Sequence, residues 1–148
     1  KWLEKELANP DAKWKFVCHH HPPYSSDEND YGNLWKSNKG NHGDLRAREL
    51  VPLYEKHGVD VVWNGHIHSY ERTWRILRGK AVESGGPFYM ITGGGGGGLE
   101  TPAPTRPFFQ NNVRRGHHYV MVHINGGNLE MKAFTLDDRL FDCNKIEK

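Results

Sequence analysis

Val59-Asp60-Val61-Val62-Trp63-Asn64-Gly65-His66-Ile67-His68 reads as a strand that ends in a glycine and two histidines one residue apart. The near-continuous apolar run from Val59 to Trp63 is what a strand covered on both faces requires. Gly65 is placed to let the backbone turn tightly at the strand's end. A helical pattern precedes the run. It starts near Asp44, a suitable N-cap, and carries Leu45, Leu50, Leu53 and Tyr54 on one stripe. Pro52 kinks or divides that helix, and Gly58 ends it. Helix, glycine turn and buried strand in succession predict an α/β fold.

Working toward the N-terminus, Trp14 to Cys18 reads as a second short strand, and it closes on His19-His20-His21-Pro22-Pro23-Tyr24. The two prolines forbid its continuation and open a polar loop running to about Asn41. A short helix around Trp2, Leu3 and Leu7 comes first, stopped at Asn9-Pro10-Asp11. Past residue 72 the pattern turns strand-rich: 73–77, 87–92, 119–125, 129–136 and 139–143, with Gly126-Gly127 as a hairpin turn. Cys18, within an apolar strand, reads as a small buried side chain, which leaves its pairing with Cys143 open.

The chain's 20 Lys and Arg against 18 Asp and Glu are not gathered in one block, so no nucleic-acid partner is expected. No apolar run reaches the length of a membrane span. Ten histidines, seven of them in a triplet, a doublet or the His-x-His, favour metal or phosphate chemistry. In extended backbone His66 and His68 would share a face with Cα atoms roughly 6.6 Å apart, a spacing that serves neighbouring ions. Neighbours on a strand alternate sides, so His20 is favoured as a ligand over His19, although local physics does not rank the two securely. His21, held extended by Pro22, lines the pocket.

Val17-Cys18-His19-His20 with the following Pro-Pro-Tyr-Ser-Ser resembles the V-x-x-H motif of the calcineurin-like metallophosphoesterases. Gly65-His66-Ile67-His68-Ser69-Tyr70-Glu71-Arg72-Thr73 is similar to their G-H-x-H motif, in the form found in purple acid phosphatases. The resemblance implies a two-sheet β-sandwich flanked by helices, of which residues 1–148 form the C-terminal half. It also implies hydrolysis of phosphomonoesters at a dinuclear centre of iron with zinc, manganese or a second iron. His20 and His66 would bind the divalent second metal, and His68 the first. His42 would contact phosphate or protonate the leaving alkoxide, and His21, Tyr24 and His42 would bind substrate. A secreted or periplasmic location goes with this reading.

None of the family's three upstream ligand motifs, D-x-G or D-x-H, G-D-x-x-Y and G-N-H-D/E, precedes the first histidine cluster. Two divalent ions among neutral imidazoles alone would repel without compensation. The chain by itself is therefore expected to turn over little or no substrate. A non-catalytic metal-binding or structural module, and a phosphodiesterase or nuclease on the same scaffold, are the rival readings. Glu71-Arg72 is expected to be a structural pair that orients the histidine loop. Gly93–Gly98 reads as a close-packing loop under the metals, since no Lys-Ser/Thr follows to make a P-loop. His117, His118 and His123 are expected to occupy ordinary core and surface positions, and Asp137-Asp138 a turn.

Overall fold

Val61 and Val62 are both fully buried, yet they belong to different cores. Successive strand residues point to opposite faces, so one valine meets helices and the other meets a second sheet. The computed structural model, which describes residues 1–27, 41–102 and 106–148, builds this layering from ten strands and three short helices among those residues.

Five strands form a mixed sheet in the order β1 (Phe16–Cys18), β2 (Val61–Asn64), β6 (Phe88–Thr92), β3 (Tyr70–Thr73), β7 (Gln110–Arg114). The first three are parallel, and β3 runs antiparallel to both of its neighbours. On one face Val17, Val62 and Tyr89 pack against Leu7 of α1 (Trp2–Leu7) and Val51 and Tyr54 of α3 (Val51–Lys56). On the other, Val61, Phe88, Met90 and Tyr70 meet Leu129, Met131, Ala133 and Ile146. Those partners come from an antiparallel sheet of β8 (His118–Asn125), β9 (Asn128–Thr135) and β10 (Leu140–Glu147), in the order β10-β9-β8. In β9 every second residue is buried, the period expected of a strand with one face on the core. The arrangement has the α/β class that the sequence pattern predicts and the two-sheet sandwich that the family resemblance implies.

Asp44 caps α2 (Leu45–Arg48) through its carboxylate, which accepts from the N–H groups of Arg46 and Ala47. The expected single helix is two, because Pro52 occupies the first turn of α3, where its missing N–H costs nothing. Gly58, at φ +63°, ends it as expected.

Three strand expectations need correction. The run 73–77 is not one strand: it breaks at half-exposed Trp74, and β4 (Arg75–Leu77) leaves to form a separate hairpin with β5 (Lys80–Val82). Edge strand β7 escaped notice because Gln110-Asn111-Asn112-Val113-Arg114 carries no apolar alternation and, among the described residues, pairs with β3 alone. Cys18 is exposed, not buried: β1 is an edge strand whose central Val17 alone faces the core. Both thiols are free.

Candidate metal centre

Because β1 and β2 are parallel neighbours, the segments leaving their carboxyl ends emerge side by side at one edge of the sheet. That edge is where open α/β sheets place their ligands. Backbone bonds continue the pairing past the strands: His19 N–H donates to the Trp63 carbonyl (3.1 Å) and Gly65 N–H to the His20 carbonyl (3.1 Å). Buried Asn64 adds a side-chain staple, its amide donating to the His19 carbonyl (2.9 Å) and standing 3.2 Å from His19 Nδ1. The sequence reading passed over Asn64; a buried amide at the end of an otherwise apolar strand was the available signal.

His20 Nε2 lies 3.2 Å from His66 Nδ1. The His21 ring stands over that of His66 with centroids 4.3 Å apart. One ring nitrogen from each of His20, His21 and His66 falls within 4.8 Å of the others, and the group contains no carboxylate. Nitrogens bound about 2.0–2.1 Å from a tetrahedral ion stand about 3.3 Å apart, so the His20–His66 separation fits two ligands of one metal. His19 turns away and stacks on Tyr54 of the helix-side core at 6.1 Å. Burial pulls its pKa below the ordinary imidazole value.

Residues 65–69 are not extended. Ile67 N–H donates to the Gly65 carbonyl and Ser69 N–H to the Ile67 carbonyl, both at 2.8 Å, making two three-residue turns in succession. The left-handed position is taken by His66 itself (φ +67°), not by Gly65. His66 and His68 are therefore not presented from one strand face. His68 lies outside the three-ring group, against the glycine loop, with Nδ1 2.7 Å from the Gly98 carbonyl.

His42 also lies outside the group. Its carbonyl accepts from Ser25 N–H (3.1 Å) and the Arg48 guanidinium, and its ring rests 6.1 Å from Phe109. Gly43 fixes that loop: a Cβ there would stand 2.3 Å from the Pro23 carbonyl oxygen. Tyr24, expected at the substrate, has its ring in the apolar core. It is 6 % exposed, packs on Tyr89 and Phe109, and lies 4.8 Å beneath the Arg48 guanidinium.

Glu71 and Arg72 do not pair with each other, because neighbours on β3 face opposite sides. Glu71 is buried and accepts from Ser26 N–H through both oxygens (3.2 and 2.9 Å). It thus braces the segment after the histidine triplet against the strand after His68. Burial pushes its pKa up to about 7. Arg72 points to the second sheet and holds Asp142 with two hydrogen bonds (2.7 and 2.9 Å). His118 is buried, 3.1 Å from Thr92 Oγ1, and exposed His123 lies on β8, the ordinary positions expected for them.

With this geometry established, likeness to known proteins is specific. The calcineurin-like phosphoesterase family model matches residues 1–70. Purple acid phosphatase 22 of Arabidopsis thaliana is 31% identical over 131 residues, covering 82% of this chain and 28% of its own length. A nucleotide pyrophosphatase/phosphodiesterase of Hordeum vulgare is 27% identical over 159 residues, covering 98% of this chain and 39% of its own. The structure of a purple acid phosphatase from yellow lupin (Lupinus luteus) seeds superposes with a TM-score of 0.81 at 24% identity, covering 99% of this chain and 27% of that one. The chain thus spans well under half the length of the proteins it matches. Two histidine motifs on neighbouring parallel strands, the family-model match and the shared sandwich agree: the chain belongs to the calcineurin-like phosphoesterases, in their purple acid phosphatase branch.

Proposed function

We propose that this chain is the C-terminal portion of a catalytic domain and carries the imidazole ligands of a dinuclear centre that hydrolyses phosphomonoesters. The observation that carries the reading is the 3.2 Å approach of His20 Nε2 to His66 Nδ1, from loops 46 residues apart in sequence. His20 and His66 hold the second, divalent ion, and His68 the first. Iron and zinc suit imidazole donors, whereas manganese would draw on oxygen ligands supplied by the rest of the centre. Metal ions held by these histidines would polarise phosphoryl oxygens and lower the pKa of bound water.

The chain's own groups supply position and protons. Asn64 and Glu71 hold the two histidine segments in register. His21, exposed at the rim, offers an N–H to a phosphoryl oxygen, and His42 donates a proton to the departing alkoxide. Tyr24 shapes the loop from beneath. The three-histidine group contains no carboxylate, so this reading needs anionic ligands brought to it from elsewhere in the complete protein, and the chain alone is expected to turn over little substrate. A secreted or periplasmic site of action accompanies this reading. No helix among the described residues is long and apolar enough to cross a membrane.

The test is metal content of the complete protein beside His20→Ala and His66→Ala, with turnover of an aryl phosphomonoester. Loss of about one ion per molecule and of turnover in each variant is expected. Unchanged stoichiometry in both would sink the assignment. The barley relative favours a second reading, phosphodiester cleavage. An aryl diester hydrolysed faster than the monoester would select it.

A further inference from the structure

The six glycines 93–98 are not equivalent. A Cβ on Gly95, Gly96 or Gly98 would meet nothing within 4 Å. On Gly97 it would stand 2.6, 2.8 and 3.0 Å from three ring atoms of His68. On Gly93 it would strike the Ile67 carbonyl oxygen at 2.0 Å, and on Gly94 the Gly116 carbonyl oxygen at 2.6 Å. Only Gly93, Gly94 and Gly97 therefore need to be bare, and two of those three lie against Ile67 and His68. Beyond the run, Glu100 grips the same residue twice. Its carboxylate accepts from His68 N–H (2.6 Å), and its own N–H donates to the His68 carbonyl (3.1 Å). Between these contacts the Gly98 carbonyl stands 2.7 Å from His68 Nδ1. A carbonyl oxygen has no proton to give, so the proton of that bond sits on Nδ1, and in the neutral ring this leaves the Nε2 lone pair bare.

We infer that Gly97, the Gly98 carbonyl and Glu100 form a positioning device for His68, which fixes its ring plane and the tautomer that presents Nε2 to a metal. The inference rests on the reading of His68 as a ligand. Outer hydrogen bonds of this kind set the basicity and orientation of ligating imidazoles, and their loss weakens metal binding by about 10- to 100-fold. Gly97→Ala must displace the ring. Glu100→Ala removes one of the two backbone grips, whereas Glu100→Gln keeps an acceptor oxygen in place.

The experiment compares Gly97→Ala, Gly96→Ala, Glu100→Ala and Glu100→Gln in the complete protein. It uses zinc titration of the metal-free form and the ring ¹⁵N shifts of His68. The wild type should show an Nδ1-protonated ring before metal is added. Gly96→Ala should keep that signature and the wild-type affinity. Gly97→Ala and Glu100→Ala should lose affinity by about tenfold or more, with the ¹⁵N pattern averaged between tautomers, and Glu100→Gln should restore most of both. A Gly97→Ala protein matching Gly96→Ala in both readouts would overturn the device, as would an Nε2-protonated wild-type ring. Should Gly97→Ala fail to fold, the Glu100 pair decides alone. Absence of metal binding in the wild type would instead overturn the functional reading, while the ¹⁵N shifts would still judge the clamp.

Discussion

Glu71 is the residue whose burial has the most measurable consequence. Its carboxyl is raised to about 7 from an ordinary 4.5, so between those values the folded chain binds a proton that the unfolded chain has lost. Stability from this group is therefore full below pH 4.5 and drains away as pH rises through 7, by about 3 kcal/mol in all. His19 and His118, both lowered by burial, act in the opposite sense on the acid side of 6.5. The wild type minus Glu71→Gln difference isolates the carboxyl. Urea midpoints should diverge with pH across that window and stay parallel above pH 8; a constant offset would mean that Glu71 ionises normally. Gly43 is the second residue-scale case. At φ +122°, with Pro23 oxygen 2.3 Å from any Cβ, Gly43→Ala should cost about 2 kcal/mol or more and displace His42. An unshifted melting curve would contradict that contact.

At the scale of elements, the two sheets are joined by more than apolar packing. Asp142 on β10 accepts from Arg72 and from the Tyr70 hydroxyl (2.6 Å), both on β3. Burial alone would raise this carboxyl, yet those hydrogen bonds and the guanidinium charge together hold it below its ordinary value. The stability it lends is present above the ordinary carboxylate pKa and is lost as pH falls below that value. Removing one partner of a buried pair leaves the other uncompensated, so Asp142→Ala should cost about 3–5 kcal/mol at pH 7 and much less at pH 2. Equal losses at both pH values would remove the electrostatic account. The helix cap is a smaller matter: Asp44→Ala should cost about 1 kcal/mol, read as a lowered urea midpoint. The sequence revealed this cap and the Pro52 break, because caps and prolines act within one turn. It did not reveal the Arg72–Asp142 clamp, since nothing local ties residues 70 apart in the chain.

For the whole molecule, metal binding and folding are linked if the three imidazoles converge only in the native state. Zinc at about one hundred times its dissociation constant should raise stability by about 2.7 kcal/mol, reversed by a chelator and absent in His20→Ala. A melting temperature indifferent to zinc would deny the site. The amino-acid sequence by itself determined the α/β class, the two strands that carry the histidines at their ends, and the family. These are written in local patterning: apolar runs, turn residues and short motifs. Tertiary structure alone decided which histidines meet. Strand alternation favoured His20 over His19, but only the parallel pairing of β1 with β2 brings His20 and His21 to His66. The two tight turns and left-handed backbone at His66 then send His68 to the glycine loop, against the extended spacing. Buried Cys18 and a mutual Glu71–Arg72 pair were misread for one reason. The face on which a side chain lands depends on which strands are edges and what covers each side, and that is settled by partners distant in sequence.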